Sequence, residues 1–170
     1  MKHPAFLVLF AAAFYHCTAP AEPDKPAPVT DLYQQITTPN AVYDSVLATR
    51  LGADEYGMKA YVLAFLKSGP NQSQDSITAV NLQKAHLKNI QRMADEGKLV
   101  VAGPFLDEGD VRGIYVFNVA TVEEARALTE TDPAIQAGRL VMELHPWYCS
   151  ATLPLLVPMH KRLQKKSIAD

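Results

Sequence analysis

The sequence predicts an α+β domain whose strands and helices follow one another as βαββαβ. Three observations carry this. Lys59 to Lys67 is apolar on both faces, a helical apolar period runs from about Thr78 to Glu96, and three shorter strand patterns follow. A strand apolar on both faces occupies the interior of a sheet covered on both sides. A stripe recurring every three to four residues is a helix lying on such a sheet.

The domain occupies residues 58–150, preceded by other kinds of chain. Lys2 and His3 lead into the apolar run Phe6 to Tyr15, which is too short to span a bilayer. This is the pattern of a secretory signal in residues 1–17, and it predicts an exported, periplasmic or membrane-anchored protein. Two endings fit. Cys17 could be the lipidated residue of a lipoprotein and tether the chain to a membrane, although Phe14-Tyr15-His16 is bulkier than the usual residues before such a cysteine. Alternatively, Ala19-Pro20-Ala21 offers the small residues of an ordinary cleavage site. Residues 18–57 read as linker and a short edge segment. Thr18 to Val29 holds four prolines and no apolar period, as an extended spacer does. Tyr43, Val46 and Leu47 are spaced for one short amphipathic helix.

In the first strand of the domain, Tyr61, Leu63 and Phe65 share one face and Val62, Ala64 and Leu66 the other. Ser68-Gly69-Pro70-Asn71 breaks the chain, and Asp75 or Ser76 caps the helix after it. Ala79, Leu82, His86, Ile90 and Met93 fall within one arc of that helix, and Gly97 ends it as a C′ residue. Strands Leu99 to Ala102 and Gly113 to Val119 flank a polar loop, in which Arg112 and its acidic neighbours read as solvated. Thr121 and Glu124 form a capping box for a short second helix. The last strand, Arg139 to Leu144, runs into His145-Pro146-Trp147-Tyr148. The order is that of ferredoxin-like folds.

With both helices on one face, the other face needs a cover. Tyr115, Phe117 and Val119, assigned to that face, together with the first strand predict a homodimer in which two sheets make a dimeric α+β barrel. Residues 151–170 form a tail with Pro154, Pro158 and the basic run KRLQKK, able to wrap a partner or lie on the surface.

The net charge of −2 and the scattered charges exclude a polyanion binder, so no nucleic-acid partner is expected. Cys17 and Cys149 are the only cysteines and give no disulfide framework. Cys149 reads as a small residue at a strand end. No glycine-rich phosphate loop or nucleophile elbow is present. Glu143 and His145 alternate on one strand face like part of a metal site, but no third ligand stands at a recognisable spacing, so neither metal nor other cofactor is expected. His86 has two readings. It is either a neutral core histidine bonded to a carbonyl, or an acid–base group titrating near neutrality and oriented by a carboxylate. Asp132, before Pro133 in a turn, is suited to cap the next helix. Trp147 fits core or interface packing, or a wall for a substrate ring.

The mid-helix His86-Leu87, the Ala102-Gly103-Pro104-Phe105 strand end, the Gly113-Ile114-Tyr115-Val116-Phe117 strand and the Asp132-Pro133-Ala134 turn together resemble the YciI-like (YCII-related) family over about Lys59 to Tyr148. The resemblance implies dimeric ferredoxin-like domains with a site built on a histidine and an aspartate, here His86 and Asp132. At least one such relative removes chloride from a chlorinated hydroquinone. It implies a small cyclic or aromatic ligand near Gly103, Pro104, Phe105 and Trp147, with proton transfer, isomerisation or elimination of lyase or isomerase type. Two alternatives stand beside the enzyme: an envelope-tethered module that binds the ligand without turnover, and a structural dimer. The signal, linker and tail depart from the minimal family pattern.

Overall fold

The sheet is organised around β1 (Met58–Ser68), which buries Val62, Ala64 and Leu66 on one face and Tyr61 on the other, with Leu63 and Phe65 half-buried. The computed structural model describes residues 42–169. The signal segment, Cys17, the alternative site at Ala19-Pro20-Ala21 and the proline-rich spacer lie outside the described residues. After α1 (Ser45–Leu51), capped by Asp44, and β1 come α2 (Ser76–Asp95), β2 (Leu99–Pro104), β3 (Val111–Phe117) and α3 (Val122–Thr129). A one-turn helix α4 (Pro133–Gln136) and β4 (Leu140–Ser150) complete the βαββαβ order. The strands lie in the order β2-β3-β1-β4, and every pairing is antiparallel. This is the ferredoxin-like arrangement.

Local chemistry sets the element ends. Asp75 Oδ1 accepts from the backbone N–H groups of Ile77 and Thr78, closing the start of α2, and Gly97 follows its end at φ 69°. Thr121 and Glu124 form the expected reciprocal box at α3. β4 runs six residues past the expected Leu144, to Ser150, and includes Pro146. A proline is tolerated there because β4 is an edge strand, so one side of it has no strand to receive an N–H. Gly69 is dictated by a close approach: a Cβ would stand 2.2 Å from the Gly138 carbonyl oxygen. The strand end at Gly69 and the turn before β4 are joined there by Gly69 N–H to the Arg139 carbonyl at 2.8 Å.

Register decides the faces. Val62 pairs with Phe117 and Ala64 with Tyr115, so these aromatic residues share the face of β1 that the helices cover. They pack with Met93 of α2, Ala125 of α3 and Leu99 in the main core. The expectation that Tyr115, Phe117 and Val119 line the uncovered face is thus corrected: all three belong to this helix-side core. Both parities of β3 are apolar, and pairing alone chooses between them. The opposite face carries Tyr61, Leu63, Phe65, Ile114, Val116 and Trp147. Part of it is covered by the chain itself, since Leu153 packs on the cluster of Tyr61, Val100 and Val116.

The tail accounts for that cover. A 3-10 turn (Leu153–Leu155) continues into α5 (Leu156–Leu163), which rests against β2, and Lys161 Nζ reaches Asp95 Oδ1 at the end of α2 at 2.6 Å. The tail therefore wraps the β2 edge of its own domain.

These placements predict unequal costs for a charge on the two faces. Phe117 is 0% exposed. Replacing a buried phenylalanine removes about 3–5 kcal/mol even without adding a charge, against a typical total of roughly 5–15 kcal/mol. Phe117→Asp should abolish the cooperative thermal transition in circular dichroism, whereas Phe65→Asp, on the half-covered face, should retain one. A Phe117→Asp melt like that of the wild type would refute the face assignment.

Candidate active site

Two buried polar residues meet where α2 crosses the turn before α4. His86 is 5% exposed and Asp132 is 0% exposed. The histidine Nδ1 lies 2.6 Å from Asp132 Oδ2, and the Tyr115 hydroxyl lies 3.2 Å from its Nε2. A buried polar group without a partner is costly; here each ring nitrogen has one.

The sequence builds this contact from three directions. The helical period puts His86 in the apolar stripe of α2, pointing at the sheet. Asp132 is the N-cap of α4, and its other oxygen, Oδ1, accepts from the Ala134 N–H at 2.9 Å. One carboxylate thus caps a helix and holds an imidazole. The turn carrying it is fastened to α2 by Arg92, whose guanidinium donates to Asn89 Oδ1 and to Thr131 Oγ1, each at 2.9 Å. Tyr115 enters from the sheet, its ring set edge-on against Phe117 with centroids 5.8 Å apart.

Burial first, and the nearby Asp132 charge second, push the Tyr115 phenol well above its ordinary range. It stays protonated and serves as a donor. With Asp132 ionised and the imidazole neutral, Nδ1–H donates to Asp132 and Nε2 accepts from Tyr115 O–H. That tautomer leaves Nε2 as the basic atom, and Asp132 would stabilise the imidazolium formed when Nε2 takes a proton.

His86 and Tyr115 line a cavity of about 1040 Å³ between α2, β2 and the tail. Gly103 and Pro104 line it as well. The strand beside them approaches so closely that a Cβ on Gly113 would fall 2.4 Å from the Gly103 carbonyl oxygen. Phe105 and Trp147, the other expected substrate contacts, are elsewhere. Phe105 is 45% exposed beyond the strand end and lines no part of the cavity. Trp147 sits on the opposite face of the sheet against Tyr61, ring centroids 6.4 Å apart. Glu143 and His145 also lie on that face. They are occupied with each other at 2.9 Å, and Lys67 bonds Glu143. Among the described residues no three His, Cys, Asp or Glu side chains cluster as metal ligands would. Cys149 is a half-buried free thiol beside Tyr61 and Trp147.

Nothing in the sequence marks Tyr115, Arg112 or Arg139 as cavity residues. For Tyr115 the missing information was strand parity. For Arg112 it was the bulge in the pairing of β3 with β1, and for Arg139 the folding of the β1–α2 loop against it.

Comparison with known proteins gives a family and a distant structural likeness. Residues 61–148 match the model of the YCII-related domain. No curated protein matches the chain. Among solved structures, the chain is similar to the 5-chloro-2-hydroxyhydroquinone dehydrochlorinase from Burkholderia phenoliruptrix AC1100, in complex with 2,5-dihydroxybenzoquinone. Identity is 22%, over 51% of this chain and 92% of that one, with a TM-score of 0.40.

The buried pair has a measurable consequence for stability. His86→Leu would strand the Asp132 carboxylate without its donor, and leaving a buried polar group unsatisfied costs about 1–3 kcal/mol, more when the group is charged. Urea denaturation should show a loss of about 3 kcal/mol for His86→Leu, partly recovered when Asp132→Asn is added. A His86→Leu chain as stable as the wild type would mean that His86 only fills space.

Proposed function

The chain belongs to the YCII-related family, and on that footing we propose that it is a small-molecule enzyme performing cofactor-free acid–base chemistry on a cyclic or aromatic compound. The observation that carries this reading is the 2.6 Å contact of buried His86 with Asp132 at the wall of a ligand-sized cavity. A core histidine needs a partner but no cavity. Here His86 and Tyr115, whose hydroxyl meets His86 Nε2 at 3.2 Å, both line the cavity, so a ligand there could take the place of the phenol at Nε2.

In the proposed reaction the substrate lies between α2 and β2, near Gly103 and Pro104. His86 Nε2 removes a proton from an acidic carbon or hydroxyl, and Asp132 holds the resulting imidazolium. Tyr115, released from Nε2, donates its hydroxyl hydrogen to the substrate oxygen on which negative charge develops. Return of the proton to another atom completes an isomerisation; departure of an anionic leaving group completes an elimination. Export and tethering through Cys17 belong to the same proposal.

The test is solvent deuterium exchange, followed by NMR, into a panel of cyclic ketones, lactones and hydroxyquinols. The wild type should catalyse exchange in at least one compound. His86→Ala should lower the rate by about 10²–10⁴-fold, the usual worth of a general base, while still binding that compound. Equal exchange in the wild type and in His86→Ala would reject the assignment.

We also propose that the half-covered face carrying Leu63, Phe65 and Ile114 seats a second copy of the chain. A stable homodimer should bury at least about 1,200 Å² in total. Light scattering at micromolar concentration should then give twice the chain mass; a monomer would overturn the dimer.

A further inference from the structure

We propose that the cavity beside His86 is built to hold an organic anion, its charge placed between Arg112 and Arg139 and closed over by the basic tail. This rests on the reading of the cavity as a ligand site and goes further by giving the class of ligand.

The charge of the lining is the first observation. The whole chain has 18 acidic and 16 basic residues, so an arbitrary patch should show both signs. The described lining has Arg112, Arg139, Lys161 and Lys166, with His86 and His160, and no aspartate or glutamate. Lys161 is neutralised by Asp95. Among the described residues Arg112, Arg139 and Lys166 form no ion pair. Three uncompensated cations around one concavity repel one another and raise the local concentration of anions.

The second observation is how the two arginines are held. Leu66 pairs with Gly113 and Lys67 with Val111, so Arg112 is the extra residue of a β-bulge in β3. Such a bulge re-aims the side chain it carries, and Arg112 joins Tyr115 in the lining instead of alternating away from it. Arg139 is fixed at both ends. Its carbonyl accepts from Gly69 N–H at 2.8 Å and from Gln72 Nε2 at 2.8 Å. Its guanidinium donates to Gln74 Oε1 at 3.1 Å, which leaves its other N–H groups available. A planar guanidinium with free donors matches a carboxylate or other planar oxyanion.

The third observation is where the rest of the charge originates. Lys166 and His160 lie beyond residues 61–148, the extent of the family match. They reach the cavity because the tail wraps the β2 edge and is clamped by Lys161 to Asp95. This chain therefore adds cationic groups that the matched domain does not contain. The cavity volume, at the upper end of the roughly 300–1,000 Å³ of ligand pockets, suits a ring bearing a carboxylate. The ring would lie against apolar Leu87, Ile90 and Leu99.

The experiment compares 2,5-dihydroxybenzoate with 2,5-dihydroxybenzamide, equal in shape and different in charge, by titration calorimetry on the full chain. The benzoate should bind at least tenfold more tightly than the amide. Arg112→Gln and Arg139→Gln should each weaken benzoate about tenfold and leave the amide unchanged. Lys166→Gln should weaken it by a smaller factor, and Arg126→Gln, outside the cavity, should have no effect. His86→Ala should keep the preference for the anion, so a chain that binds benzoate selectively without turnover upholds this proposal while the proposed reaction fails. Equal binding of the two compounds, no binding of the benzoate at millimolar concentration, or indifference to both arginine variants would overturn it.

Discussion

The contact between His86 and Asp132 is the constraint around which the helix side of this domain is arranged. A carboxylate with no solvent exposure requires hydrogen-bond donors, and Asp132 finds them in the imidazole and in the first turn of α4. Satisfying both at once fixes the α3–α4 turn against α2, and it sets the depth at which α2 rides over the sheet. The Tyr115 hydroxyl then has a defined place, because Nε2 is the remaining unsatisfied atom of the ring. Packing of Met93, Phe117 and Ala125 fills the space beyond. The polar group and the core specify one another: an aliphatic residue at position 86 would pack, but would leave the buried anion without its counterpart.

The parts of this fold legible from sequence are those dictated by neighbours along the chain. The capping box at Thr121 and Glu124, the Asp75 cap, the apolar arc of α2 and the doubly apolar β1 are local patterns with local causes. The His86 and Asp132 pairing was legible only through a family resemblance, since 46 residues separate the two. What could not be read was parity and path. Gly113 to Phe117 offers apolar residues on both faces, so nothing local says that Tyr115 turns toward the histidine. Trp147 reads either as packing or as a wall for a ligand ring; β4 continues to Ser150, and alternation along it carries Trp147 to the far face, opposite Tyr61.

The tail shows the same limit. Its prolines and basic run describe a segment outside the repeating pattern of the domain, without saying where it goes. Its course follows from two unrelated contacts, Leu153 on the Tyr61 cluster and Lys161 at the end of α2. Between them the chain must pass around β2, which brings residues far apart in sequence to one rim. Arg112 likewise reads as a loop residue until a bulge in the strand pairing turns it inward.

The two outer strands of the sheet carry a consequence for solubility. An unpaired strand edge is a template for main-chain pairing with another molecule, and proteins blunt it with proline, bulges or a covering segment. Here Pro146 interrupts the donor row of β4. On the other side, β2 is kinked by the extra residue Val100 and has the 3-10 turn and α5 laid against it. Neither margin offers a flat ladder to a stray β-strand, so the domain is guarded against fibrillar growth at both ends of its sheet. Shortening the chain before Leu153 would bare the β2 margin, and the first defect to expect from such a truncation is aggregation through that strand.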